Sequence, residues 1–462
     1  MSLDELVESI RSGPSGRTIG AVFDYRALVD RADRAPTEAS ADDFKTLAGS
    51  TEDMVRTACQ RRFNENLAGD LFHGAWRLVR AHINQGHTVV LAASEPRFDV
   101  EPLARELGVQ HLLCTELQIE HGSLTGRPTG RPLVGLAKSA ALREFAAREG
   151  IDLGQSHAYA HSEEDISLLE SVGFAHPVNP TSTLARQGNQ TGWSAVEFKG
   201  RKDSRNPLPI VRTAAMYGSL VAAAGAGFVT GVGSRDRRRG VDVATWLFGR
   251  VGTSLGNISV DLVGADNLWS QRPAVFFANH QSTLIDVLVT ARILQRGFTI
   301  VAKAEVRKMP VIGTLFDLAD VAFVDRGNTA SAISALQPAI DKLRSGTSIA
   351  MSPEGTRSLT PTIGAFKKGG FHLARDAGVP IVPIVIRNAG EIMWRNARIA
   401  QSGTVEVAVH EPVPTAGWTR EDIEPWRNRI HQLYIDTLDD WPGIQAGQRW
   451  SKAIANAAPK AR

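Results

Sequence analysis

Between Thr213 and Gly233 the chain runs 21 residues without a charge. Such a length just reaches across the hydrocarbon core of a bilayer. Its Ala and Gly content makes it weakly hydrophobic, so a re-entrant or interfacial helix pair is as consistent with it as a span. The flanks are basic: Lys199 to Arg239 holds nine Lys or Arg (199, 201, 202, 205, 212, 235, 237, 238, 239) against Asp203 and Asp236. Basic residues beside an apolar stretch suit an anionic membrane surface, at roughly 1 kcal/mol each. The alternative is an Ala/Gly-rich helix buried in a soluble core; the flanking charge favours the membrane.

On either side of this stretch, short apolar runs alternate with helical patterns. Before it, Thr18–Phe23, His87–Ala93 and Ser156–Ala160 have the character of buried strands. Helical patterns over 42–62 and 67–85 fall between the first two. Residues 118–130, punctuated by Gly-Ser and Thr-Gly, suggest a hairpin. After it, the strand candidates are 274–278, 298–302, 321–324, 348–351, 379–386 and 404–409, with helices expected over 284–294, 331–344, 368–376 and 420–438. Repeated β–α alternation implies parallel, doubly wound sheets. The expected fold class is therefore α/β in two domains: 1–200, with a helical insertion as a cap, and 248–440. They are joined by a membrane-associating connector, 201–247, and followed by a flexible tail, 441–462.

Composition narrows the context. At 462 residues, 43% hydrophobic and 22% charged, the chain has core enough for both domains. A net charge of +3 gives no reason to expect a nucleic-acid partner. Two cysteines, Cys59 and Cys114, make no disulfide framework and have no zinc spacing, which points to a reducing compartment. The first residues, MSLDELVESIRSG, lack an apolar run behind a basic start, so no cleaved signal peptide is expected.

In the first domain, Phe23-Asp24-Tyr25-Arg26-Ala27-Leu28 follows the first strand, Lys138 precedes a helix, and Tyr159-Ala160-His161-Ser162-Glu163-Glu164-Asp165 follows a later strand. Together with the helical insertion, Asn179-Pro180 and Gly192-Trp193, these resemble the haloacid dehalogenase superfamily, in its phosphoserine-phosphatase-like branch. The resemblance assigns Asp24 to the nucleophile, Lys138 to the phosphate-site lysine and Asp165 to a metal carboxylate. It also marks departures. Arg26 stands where an acid/base Asp belongs, Leu28 replaces a Thr, and Ala160-His161 replaces Gly-Asp. The phosphate-binding Ser aligns with Ala93, or with Ser94 after a one-residue slip. Without a carboxylic acid at 26, a general-acid contribution of roughly 10²–10⁴ is lost. Arg26 adds positive charge where magnesium would bind, and His161 is a poor magnesium ligand. The expectation is a domain without phosphatase activity; Mg²⁺ is required only if it is active.

In the second domain, Ala274–Ala278 ends at Asn279-His280-Gln281-Ser282-Thr283, with Asp286 just beyond. A carboxylate on one imidazole nitrogen fixes the tautomer and leaves the other as a base. A His and an Asp six residues apart are by themselves more often structural. Three further blocks shift the balance. They are Lys303-Ala304-Glu305-Val306 through Pro310-Val311-Ile312-Gly313 to Phe323-Val324-Asp325-Arg326; Ser352-Pro353-Glu354-Gly355-Thr356-Arg357-Ser358 with Phe366-Lys367-Lys368-Gly369-Gly370; and Val379–Ile384. In order and type the four blocks, spanning about 250–415, resemble the glycerophospholipid acyltransferases, typified by 1-acylglycerol-3-phosphate acyltransferases.

That resemblance implies His280 as general base and Asp286 as its orienter. Glu354, Gly355, Thr356, Arg357, Arg326, Lys303 and Lys367 would bind substrate. The arginines suit phosphate because their planar forks pair bidentately with its oxygens. Glu354 would orient the turn or help position the acceptor. Lys367 and Lys368 would contact phosphate, the donor's nucleotide portion, or solvent alone. Transfer would run from acyl-CoA or acyl carrier protein to the free hydroxyl of 1-acylglycerol-3-phosphate, giving phosphatidic acid with no cofactor. The enzyme would work at the cytoplasmic face of an anionic membrane. Alternatives are a bifunctional acyltransferase/phosphatase and a silent lipid-binding scaffold. One departure stands out: the family's aspartate lies five residues after the histidine, and here it lies six after. An extra residue rotates a helical side chain by about 100°, so the entry to the helix must be remodelled or the pair is weakened.

Overall fold

The computed structural model describes residues 1–30, 44–198, 200, 206–303, 321–324, 336–442 and 447–451. It divides into two compact units, Met1–Lys202 and Asp203–Arg462.

The first unit is built on five parallel strands in the order β3-β2-β1-β6-β7. These are β1 (Ile19–Asp24), β2 (Thr88–Pro96), β3 (His111–Thr115), β6 (Asp152–Ala160) and β7 (Phe174–Pro177). Every residue of β1 is buried, as expected for a central parallel strand covered on both faces. A separate hairpin pairs β4 (Leu117–Glu120) with β5 (Ser123–Pro128), where the Gly-Ser and Thr-Gly punctuation placed one. Phe44, Val55, Phe98, Leu117 and Leu124 form a small second core that ties this hairpin to the insertion after β1. The central strand is therefore roofed by the insertion and the hairpin. A cavity of about 920 Å³ is left, lined by Arg26, Glu95, Phe98 and His161 among others.

The second unit holds a seven-stranded sheet, ordered β11-β10-β12-β9-β13-β14-β8. Its strands are β8 (Ile258–Val263), β9 (Val275–Ala278), β10 (Phe298–Lys303), β11 (Ala322–Val324), β12 (Ser348–Met351), β13 (Ile381–Ile386) and β14 (Gly403–Val409). All pairings are parallel except β13 with β14. The sequence reading lacked β8, whose alternating burial marks an edge strand.

The stretch containing the charge-free run forms two helices, Leu208–Ser234 and Arg237–Gly256, reversing at Arg235 in the left-handed region. Asp236 caps the second helix by accepting from the Arg238 and Arg239 amides. The glycines have a packing reason. A Cβ on Gly227 would fall 2.5 Å from the Gly240 carbonyl, and one on Gly249 would fall 2.6 Å from the Arg292 amide. The helices thus touch each other, and the second touches helix Leu284–Leu294, at backbone distance. On the first helix, Ile210, Tyr217, Val221, Phe228 and Val232 remain exposed. They recur at helical spacing along one face. Among the described residues this is the one helix long and apolar enough to cross a membrane by length and composition.

The tail expected to be flexible is anchored in part. Trp450 is buried, sits edge-on to Trp426, and donates its indole N–H to the Glu411 carbonyl. An indole burying that much apolar surface outweighs the entropy of a short segment.

Candidate active site

Helix Leu284–Leu294 starts beyond the end of β9, and the five residues between form the loop that carries His280. Asn279 fixes its path: the side-chain amide donates to the Ile386 carbonyl and accepts from the Ile386 amide, both at 2.7 Å. This mimics one more rung of the β9–β13 ladder. Gln281 adds bonds to the Arg387 carbonyl and the Gly390 amide. The loop is thus held to the end of β13, about a hundred residues away in sequence, before His280 makes any contact.

His280 Nδ1 lies 2.7 Å from Asp286 Oδ2. The same carboxylate oxygen accepts from the Gln281 and Ser282 amides at 2.8 Å. Asp286 sits in the first turn of its helix, where aligned N–H groups favour a negative charge. The extra residue is absorbed in the loop. Thr283 holds the N-cap position without an N-cap hydrogen bond, and its hydroxyl instead accepts from Arg357. An acceptor at Nδ1 makes that nitrogen the donor and leaves Nε2 with its lone pair. The imidazole is about a third exposed and the carboxylate nearly buried, so the pair opens on the Nε2 side.

Glu354 is buried, with both oxygens engaged. Oε1 accepts from the His280 amide at 2.8 Å and Oε2 from the Gly364 amide at 2.9 Å. The carboxylate thus bridges the backbones of two loops. Burial pushes its pKa up to about 7 against the pull of those amides. Gly355 has φ 71, and a Cβ there would meet the Lys367 side chain at 3.0 Å. Lys367 therefore lies over the turn, while Lys368 pairs with Glu424. Thr356 is exposed. Ser358 clamps the other side of the loop, donating its amide to the His280 carbonyl at 2.7 Å. Lys303 is the last residue of β10; its side chain and Arg326 lie outside the described residues.

Sequence reasoning missed Arg395. It lies in the irregular segment after β13 and donates to the Arg357 carbonyl at 2.8 Å, while Arg357 donates to the Arg395 carbonyl. Its segment has no periodicity and no motif, so only the fold brings it to the site.

The first unit has its own cluster at a strand end. Asp24 closes β1, and Lys138, in helix Leu136–Glu149, donates to Asp24 and to Asp165 at 2.6 Å each. All three side chains are buried. Burial works against the Lys138 charge, yet the two carboxylates outweigh it and hold the ammonium above the ordinary lysine range. Burial and the Asp24 charge push Asp165 up to about 6, against the pull of Lys138. Arg26 turns from this cluster to Glu95, at 3.0 Å. His161 Nδ1 lies 3.1 Å from the Val178 carbonyl. The residues do not fit a magnesium site well. Arg26 replaces the carboxylate expected two residues after Asp24, His161 is a poor magnesium ligand, and among the described residues no three His, Cys, Asp or Glu converge on one point.

Each unit matches a known family in sequence. Residues 259–387 match the acyltransferase family and residues 2–170 the haloacid dehalogenase-like hydrolases. The chain thus joins a haloacid dehalogenase-like domain to an acyltransferase-family domain. It is similar to the 1-acyl-sn-glycerol-3-phosphate acyltransferase of Saccharomyces cerevisiae, with 32% identity over 40% of this chain and 61% of that one. The alpha form of Homo sapiens is 36% identical over 39% of this chain and 64% of its own. A Mycobacterium tuberculosis protein named a probable phosphatase is 32% identical over 39% of this chain and 64% of its own. The crystal structure of the Thermotoga maritima 1-acyl-sn-glycerophosphate acyltransferase PlsC superposes with a TM-score of 0.43 at 23% identity, covering 50% of this chain and 97% of that one. The chain spans about six-tenths of the length of these curated relatives.

Proposed function

We propose that the protein transfers a fatty acyl group from a thioester donor to the free hydroxyl of 1-acylglycerol-3-phosphate, giving phosphatidic acid. The observation that carries this reading is the His280–Asp286 pair, with Nδ1 committed to the carboxylate and Nε2 open. In the proposed reaction the acceptor hydroxyl gives its proton to Nε2 as its oxygen attacks the thioester carbonyl. Asp286 stabilises the imidazolium that forms. The tetrahedral adduct then collapses, the carbon–sulfur bond breaks, and the imidazolium proton passes to the departing thiolate. Acyl-CoA and acyl carrier protein both satisfy this chemistry. Relatives bearing the name of this activity support the acceptor class.

The exposed apolar face of helix Leu208–Ser234, with Arg235, Arg237, Arg238 and Arg239 at its turn, supports work at an anionic membrane surface, on the cytoplasmic side. The first domain is proposed to bind without catalysis, because Arg26, paired with Glu95, stands where a phosphatase needs its acid/base carboxyl, and Ala160-His161 stands where it needs Gly-Asp.

The test uses the full chain on anionic vesicles, with labelled acyl-CoA or acyl carrier protein and a panel of lysolipids. Co-sedimentation and labelled phosphatidate are expected. Lipid binding without transfer from any thioester would install the scaffold reading instead. Free phosphate is followed in the same reactions with Mg²⁺. Its release, lost on Asp24→Asn, would make the protein bifunctional.

A further inference from the structure

Arg357 and Arg395 form an interlocked pair. Each guanidinium donates to the other's backbone carbonyl, at 2.5 and 2.8 Å, and Arg357 also donates to the Thr283 hydroxyl in the His280 loop. Among the described residues neither meets a carboxylate. Glu354 is held by the His280 and Gly364 amides, and Glu406 by Arg387. Arg395 Nε is buried with no hydrogen-bond partner. Burial, and then the neighbouring Arg357 charge, work against the positive charge of Arg395. Two adjacent cations, one with a shielded idle donor, repel each other, and an anion placed between them relieves that repulsion. A phosphomonoester matches this need: it carries up to two negative charges and three oxygens that planar forks can grip.

The surroundings say which face the anion comes from. In the segment that carries Arg395, Trp394 donates to the Leu359 carbonyl at 2.8 Å. Further along it, the Ala400 amide donates to Thr213 Oγ1 at 2.9 Å, and Thr213 lies in the first turns of the helix with the exposed apolar face. One short segment thus links the guanidinium pair to the part of the fold suited to a lipid surface.

We infer that Arg395 joins Arg357 in a two-guanidinium clamp for the phosphomonoester of the acyl acceptor. The inference rests on the acyltransferase reading above and adds to it a phosphate ligand from outside the four sequence blocks. Arg357 alone would bind a phosphate; the pair selects the dianion, and so separates a phosphorylated acceptor from a plain monoacylglycerol.

The experiment measures transfer by the full chain to lysophosphatidate, glycerol 3-phosphate and monoacylglycerol. Saturation by the first two identifies whether lipid or soluble phosphate is the source. Arg395→Gln should raise KM for the phosphorylated acceptor about 10- to 100-fold, with the loss falling on KM rather than on kcat. Arg395→Lys should recover only part, because an ammonium keeps the charge without the fork. Wild-type KM should fall as pH rises through the second phosphate ionisation at ~6, and Arg395→Gln should flatten that dependence. A purely structural role for Arg395 would depress transfer to all acceptors alike and leave the pH dependence in place, overturning the clamp. A KM within twofold of wild type would overturn it too, while leaving acyl transfer intact. If the wild-type chain transfers nothing, the functional reading fails on its own, and the clamp is judged by melting. Stabilisation by glycerol 3-phosphate that disappears in Arg395→Gln supports it; stabilisation unchanged in that variant overturns it. Should Arg395→Gln not fold, Arg395→Lys carries the same comparisons.

Discussion

Both units place acidic and basic side chains at the end of a central parallel strand, and they use them in opposite ways. In the first, Lys138 sits between Asp24 and Asp165 and bonds to both in a buried cluster. In the second, Asp286 faces an imidazole that stays about a third exposed, and two arginines close by face no carboxylate among the described residues. The contrast teaches that a strand-end position is only an opportunity. The second leaves an imidazole nitrogen and two guanidinium groups turned toward whatever binds there, whereas in the first the charged groups are bonded to one another.

Three substitutions can break or sharpen this contrast. The largest effect is expected for His280→Ala, which should lower acyl transfer by about 10²- to 10⁴-fold without changing the melting profile. Retained turnover would remove His280 from the reaction and make the two clusters alike. Next is Lys138→Met, which leaves Asp24 and Asp165 buried without their cation. The first unit should lose about 3–5 kcal/mol in denaturant unfolding. Adding Asp24→Asn and Asp165→Asn should restore much of that; if Lys138→Met costs nothing, Lys138 is not what holds the two carboxylates in the fold.

The smallest effect concerns Glu354. Its pKa in the fold, about 7, lies above the ordinary value of 4.5, so the folded chain holds this proton more tightly than the unfolded one. Its contribution is therefore full below pH 4.5 and is lost as pH rises through about 7, by about 3 kcal/mol at most. Unfolding of the second unit between pH 5 and 8 should show that decline, and Glu354→Gln should remove it. An identical slope in both proteins would assign the pH dependence to other groups.

Much of the architecture was legible. Apolar runs of four to eight residues separated by helical patterns identify β1, β2, β9, β12 and β13, because buried parallel strands must be almost wholly apolar. The edge strand β8 escaped, since its outward residues, Ser259, Asp261 and Val263, dilute that signal. At the site, the four blocks locate His280, Asp286, Glu354 and Arg357. They do not say that Glu354 faces the backbone. Nor do they contain Arg395, whose segment carries no periodicity. Trp450 shows the same limit, because a lone aromatic in an Ala-rich tail gives no local sign of the pocket that receives it.

The sequence by itself determined two α/β domains, a charge-free stretch between basic flanks, an acyltransferase block order, and an arginine where a phosphatase needs an acid. Those follow from residue type and local period. Only the tertiary structure decided whether Asp286, one residue late, reaches His280. The answer lay in the Asn279 bonds to Ile386, which set the backbone path of the loop before the helix begins. Side-chain direction at a strand end depends on that path. The path is fixed by partners about a hundred residues away, which no local spacing records.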